Sequence, residues 1–270
     1  MSRLGGLMHY RVGTKVAETA AYRLYLCEEV DTGASRFLQI ATAREHNGQL
    51  DRAAYRLGEL SKSADFLEEA FAKENPGRQL GYNLLFPAVT DSFIAEGQGG
   101  RRALITQVRN VEDIRQLVPL GNLRLRDGLR LDCETSAWIM GRLLKLAAFA
   151  HAEGVAVHGL SSNNVLIEPV MHYAVVFDWS TSRSFDNGVP MRERAADIVS
   201  AASTVFGAIG GDPTTGDYPY SEVRVEPYIA LLRQLMNGRA NDTETTHRQF
   251  YELVHGLFGK TYQPFTTLPL

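Results

Sequence analysis

The chain has 270 residues, 44% of them hydrophobic and 22% charged, which is enough apolar material for one bilobed or two small globular domains and excludes a disordered tail. A formal net charge of −3 gives no general attraction for nucleic acid. No run reaches the roughly 18 to 20 consecutive apolar residues of a membrane span, and the start lacks the apolar core of a secretion signal, so a cytoplasmic protein is expected.

Residues 22–27 alternate, with Tyr22, Leu24 and Leu26 opposite in phase to Arg23, Tyr25 and Cys27. Asp31-Thr32-Gly33 then supplies turn chemistry before Phe37, Leu38 and Ile40, the pattern of a β-hairpin. Leu50, Ala53, Leu57, Leu60, Ala64, Leu67 and Phe71 recur at three and four residues, giving a helix over 50–74 that Pro76 and Gly77 close. A second hairpin is expected from 88–95 and 103–108, reversing through Glu96-Gly97-Gln98-Gly99-Gly100. Residues 10–108 are thus expected to form five antiparallel strands with one helix against them.

A connector near 107–116 leads into mostly helical periodicity. Thr135 or Ser136 is the expected cap of a helix ending at Glu153-Gly154, followed by strands at 164–167 and 173–177. Helices are then expected at 195–209, 225–236 and 243–258. Cys27 and Cys133 stand far apart without a CxxC or Cys/His cluster, so two buried small hydrophobes are expected rather than a disulfide or zinc site.

The run His158-Gly159-Leu160-Ser161-Ser162-Asn163-Asn164-Val165-Leu166-Ile167, followed by Phe177-Asp178-Trp179, resembles the catalytic and metal-binding loops of the protein kinase-like fold. Asp197, in Ala196-Asp197-Ile198, resembles the aspartate of that family's central helix, which receives backbone N–H groups of the catalytic loop. The resemblance implies an α+β, bilobed fold, with a small antiparallel β-sheet lobe at 1–108 and a mainly helical lobe at 109–270.

It also shows what the chain lacks. Phosphoryl transfer needs a carboxylate to orient the attacking hydroxyl, and the two possible registers put Gly159 or Leu160 there. Gln39, in Arg36-Phe37-Leu38-Gln39-Ile40, replaces the phosphate-binding lysine, and Glu59 stands where that lysine's partner would lie. The glycine-rich loop is replaced by Gly13-Thr14-Lys15-Val16-Ala17-Glu18-Thr19, where Lys15 is the one candidate to compensate. Asn164 and Asp178 match the family's pair of Mg²⁺ ligands, oxygen donors converging from two loops. Their structural alternative is a loop hydrogen bond for Asn164 and a turn cap for Asp178. His158 is read as a brace of its loop.

The link from Asp178 to Asp197 is short and offers no peptide platform; its arginines, Arg183, Arg192 and Arg194, suit either a solvated surface or an acidic partner. The resulting expectation is a pseudokinase with no catalytic residue, acting as a protein-binding or regulatory module with no cofactor beyond, at most, weakly bound Mg-ATP on Asn164 and Asp178. Two alternatives stand beside it. One is an atypical ATP-dependent phosphotransferase or nucleotidyl transferase that holds Mg-nucleotide on Asn164 and Asp178. The other is an unrelated α+β interaction protein.

Overall fold

A computed structural model describes residues 9–95, 99–111, 113–170, 172–220, 222–240, 242–260 and 263–270. Five strands, β1 (Tyr10–Glu18), β2 (Tyr22–Glu29), β3 (Ser35–Ala41), β4 (Ala88–Ala95) and β5 (Arg101–Gln107), form one antiparallel sheet in the order β1-β2-β3-β5-β4. Strand register puts Tyr22 opposite Ala41 and Leu24 opposite Gln39, so Tyr22, Leu24, Phe37 and Gln39 share one face. The other face buries Cys27, Leu38, Ala103 and Ile105. Helix α1 (Asn47–Glu74) buries Leu50, Ala53, Leu57, Leu60 and Ala64 and packs on β4 and β5.

The rest is mainly helical. In order come β6 (Val118–Pro119), α2 (Leu120–Leu125), β7 (Leu129–Leu131), α3 (Cys133–Ala152), β8 (Val155–Ala156), β9 (Val165–Glu168), β10 (Tyr173–Val176) and β11 (Arg183–Ser184). They are followed by α4 (Met191–Ala208), α5 (Glu226–Met236), α6 (Thr243–Phe258) and β12 (Thr267–Pro269). The short strands make three small antiparallel sheets, β10-β9-β6, β11-β8 and β12-β7. The molecule is therefore a mixed α+β fold of antiparallel sheets and helices. Among its described residues no helix is long and apolar enough to cross a membrane.

Several local expectations change. Asp132, not Thr135 or Ser136, caps α3, its carboxylate accepting the Thr135 N–H at 2.7 Å; Ser136 is already helical and its hydroxyl is buried against Tyr228 at 2.9 Å. Helix α4 begins at Met191, after Pro190, rather than near 195, so Arg192 and Arg194 lie on a helix and Asp197 falls in the second turn instead of the first. The stretch 13–18 is strand rather than loop, and Lys15 there pairs with Glu18 at 2.7 Å in solvent. Of the expected turn 96–100, residues 96–98 lie outside the described residues, while Gly99 and Gly100 take φ values of 76° and 69°. Cys27 and Cys133 are buried free thiols, each pushed up to about 11 chiefly by burial.

Candidate functional site

Asp197 organises the loop that joins β8 to β9. Its Oδ2 accepts the Val157 N–H at 2.8 Å and its Oδ1 the His158 N–H at 2.9 Å, while His151 Nε2 lies 2.8 Å from Oδ2. Both Asp197 and His151 are buried, and the other imidazole nitrogen meets the Thr243 hydroxyl at 3.0 Å. A buried carboxylate surrounded by donors in this way locks three segments, α3, the loop and α4, into one geometry.

The loop itself is tight. His158 takes φ 51°, a left-handed conformation that a side chain rarely adopts, and its carbonyl accepts the Thr181 hydroxyl at 2.6 Å. Its Nε2 lies 3.0 Å from Glu193 Oε2 in the first turn of α4. Leu160 is wholly buried, and its carbonyl accepts from Ser200 at 3.1 Å and Thr204 at 2.6 Å. At Gly159 a Cβ would stand 3.0 Å from the Asn164 amide nitrogen and 3.4 Å from the Asp178 carbonyl, a tight fit that a shift of a few tenths of an ångström in these neighbours relieves.

Asn164 and Asp178 come together, but on each other. Asn164 Nδ2 donates to the carbonyls of Gly159 at 2.7 Å and Asp178 at 3.0 Å, and Oδ1 accepts the Asp178 N–H at 2.5 Å. The Asp178 carboxylate accepts the Ser180 N–H at 2.8 Å and the Ser180 hydroxyl at 3.1 Å. Tyr22 reaches the same carboxylate from β2. Burial, then the Asp178 charge, push its phenol far above the ordinary value. Gln39, Tyr22 and Asp178 thus form a short chain of polar neighbours, with Gln39 and Tyr22 buried.

Around this chain the space is apolar. Phe37 and Phe177 meet edge to face at 4.8 Å, and both belong to a cluster with Tyr22, Leu24, Val108, Leu117 and Leu166. Trp179, next to Asp178, is buried against Phe86 and donates its ring N–H to the Val176 carbonyl at 2.9 Å.

Glu59 is not part of this group. It is exposed on α1 and paired with Lys62 at 2.7 Å. The α1 residue that reaches the segment after Asp178 is Arg56, which donates to the Ser184 hydroxyl at 3.0 Å, the Ser182 hydroxyl at 3.2 Å and the Ser182 carbonyl. Sequence reasoning missed it, although a signal was present: Arg56 stands three residues after Ala53 and four before Leu60, inside the apolar stripe, where a charge needs a partner. Tyr22 was missed as well, since in an alternating strand it reads only as one more inward apolar residue. Arg183 lies exposed on β11, and Arg194 is tied to the Val189 carbonyl at 2.9 Å.

The Asn164 side-chain oxygen accepts a backbone N–H, and each Asp178 carboxylate oxygen accepts one hydrogen bond from Ser180, which leaves lone pairs on both. Mg²⁺ takes one or two protein carboxylates and otherwise water or phosphate oxygens, so Asp178 is the residue here that would hold it. Among the described residues, no group of three or more His, Cys, Asp or Glu side chains could hold a metal ion without such outside ligands. Elsewhere, a cleft of about 530 Å³ opens between α3 and α6, lined by Trp138, Arg142, Lys145, His247, Tyr251 and Phe258 among others.

No protein-family model matches the chain, and no curated protein matches it.

Proposed function

We propose that the chain is a degenerate, catalytically inactive member of the bilobed protein kinase-like fold, with lobes at 1–108 and 109–270, and that it works by binding another protein. Element order supports the fold: five antiparallel strands with a helix between the third and fourth, a connector, then a helical part carrying an aspartate-braced loop. The inactive reading is carried by one observation: the loop closes on itself, the Asn164 amide being bonded to the Gly159 and Asp178 carbonyls and to the Asp178 N–H while the Asp178 carboxylate holds Ser180. Gln39, buried on β3, stands where the resemblance expects a lysine. Positioning and electrostatics provide most of the rate in phosphoryl transfer, so a site short of an acid and a fixed cation is poorly equipped for catalysis.

Thermal unfolding with ATP, ADP or GTP, each with and without Mg²⁺, tests this reading beside a γ-labelled ATP turnover assay. A ligand at a hundredfold its Kd stabilises by ~2.7 kcal/mol, which would raise Tm by about 5 °C or more in a chain of this size. The expected results are an unchanged Tm and no turnover. A Mg²⁺-dependent rise that disappears in Asp178→Ala, or turnover with the same dependence, would overturn the inactive reading in favour of an atypical nucleotide-using transferase.

A further inference from the structure

Helix α1 has two faces, and only one is used by the fold. Leu50, Ala53, Leu57, Leu60 and Ala64 are buried. On the opposite side Arg52, Tyr55, Glu59, Lys62, Phe66 and Glu69 are all exposed. Their spacing is three, four, three, four, three, the repeat that keeps a stripe of side chains facing a second helix along its whole length. Over this stretch the stripe is about 26 Å long.

The stripe contains two aromatic rings that solvent does not favour. Tyr55 is 68% exposed and Phe66 71% exposed, large values for rings on a helix otherwise well packed. Between them stand only the charges of Glu59 and Lys62, which satisfy each other within the helix at 2.7 Å. Gly58, one turn after Tyr55, has nothing within 4 Å of a Cβ position, so a partner ring can approach the backbone there.

What identifies the occupant is the order of the residues. Reversed end to end, the spacing is unchanged, and the stripe becomes its own complement. Arg52 meets Glu69, Tyr55 meets Phe66 and Glu59 meets Lys62, all three pairs centred on the same point midway between residues 60 and 61. A parallel pairing in register would instead set Glu59 on Glu59 and Lys62 on Lys62, which like-charge repulsion opposes. A two-fold axis through that midpoint generates each contact twice, as a self-complementary interface requires. Arg52 makes no ion pair or hydrogen bond among the described residues and is free to meet the partner's Glu69, whose exposed carboxylate pairs with Lys73 at 2.9 Å in the single chain and has a second oxygen for the partner. The Glu59 and Lys62 side chains need only turn outward to re-pair.

We propose that two copies of this chain associate through an antiparallel α1 to α1 contact, anchored by two Tyr55–Phe66 ring pairs and oriented by the Glu59–Lys62 and Arg52–Glu69 pairs. The rings supply the buried area, while the exposed ion pairs contribute chiefly register and partner choice. This inference does not depend on the reading of the nucleotide site.

Charge exchange tests it on the full chain. Sedimentation velocity at tens of micromolar should give the mass of a dimer for the parent. Glu59→Lys places lysine on lysine across the axis, and Lys62→Glu places glutamate on glutamate, so each variant alone should sediment as a monomer. Their equimolar mixture restores opposite charges at every facing position and should recover the dimer mass, as should the double exchange Glu59→Lys with Lys62→Glu in one chain. All four charges are exposed, and unchanged far-UV circular dichroism of each variant verifies folding. Phe66→Ala should weaken the dimer at least tenfold in Kd. A parent that remains monomeric at 100 μM, single variants that stay dimeric, or a mixture that fails to recover the dimer would each overturn the proposal, the last by removing the antiparallel register.

Discussion

Lys145 carries a charge into a place that resists it. It lies on α3 in the cleft facing α6, and burial, then the neighbouring Arg142 guanidinium, hold its ammonium down to about 8, with Glu68 acting the other way. Its Nζ donates to the Leu80 carbonyl and sits 5.1 Å from the centre of the Tyr82 ring. The sign of the pH dependence follows from counting protons. Below about pH 8 both folded and unfolded chains hold the proton, and the burial penalty is fully present. Between about 8 and the ordinary value of 10.5 the unfolded chain holds more proton than the folded one, so stability rises with pH through that window. Lys145→Met removes the group, and the expected outcome is a flatter dependence than the parent's in urea unfolding from pH 8 to 10. Parallel slopes for the two proteins would show that Lys145 is not depressed. At the same scale, Gln39 and Gly159 could be singled out in the sequence only through the resemblance, which sets a lysine and an acid at their places. Tyr22 was not legible, since its meaning comes from cross-strand register, which brings it to the same face as Gln39 two residues away on the neighbouring strand.

Elements with a long apolar period were legible almost to the residue. The expected helix at 243–258 coincides with α6, and α1 and α5 each begin within three residues of the positions their stripes suggest. The short strands β9 and β10 lie within one residue of the expected 164–167 and 173–177, but strands of two or three residues were not legible, because nothing local marks them: β12 exists only through its pairing with β7, from Thr267 opposite Leu131 to Pro269 opposite Leu129. Helix α4 lies between these cases. Its apolar face was visible, but Pro190 moves its start to Met191, which shifts Asp197 out of the first turn. Asp197 therefore acts less as a partner of its own helix dipole than as a clamp between elements, accepting from the loop through Val157 and His158 and from α3 through His151. Asp197→Ala leaves two buried backbone donors and an imidazole without their acceptor. A loss of about 3 kcal/mol is expected in denaturant unfolding, from a cost of ~1–3 kcal/mol for each stranded buried donor, partly relaxed. Asp197→Asn keeps one acceptor and should lose less. A loss below about 1 kcal/mol in the alanine variant would mean that the loop is held by something else.

Across the whole molecule, the sheet and the helical part meet through a filled seam. The cluster that contains Tyr22, Leu24 and Phe37 from the sheet continues through Val108, Ile114 and Leu117 of the connector to Leu166, Tyr173, Val175 and Phe177 of β9 and β10 and the residue beyond. Every one of these side chains is buried, so the sheet cannot separate from the helical part without exposing apolar surface on both. That coupling predicts one unfolding transition rather than two. It also identifies the ring that matters most, since Phe177 touches Phe37 across the seam at 4.8 Å and immediately precedes Asp178. Phe177→Ala should cost about 3–5 kcal/mol, the usual range for truncating a buried aromatic. The loss should fall equally on both parts. Native-state hydrogen exchange checks this directly, because amides of β2 and β3 and amides of α3 should lose protection together and by the same free energy in the variant. If the β2 and β3 amides instead opened at much lower cost while α3 kept the parent's protection, the two parts would be separately stable. The seam would then be a cleft that opens, and the space between Phe37 and Phe177 would have to be reconsidered as a ligand site.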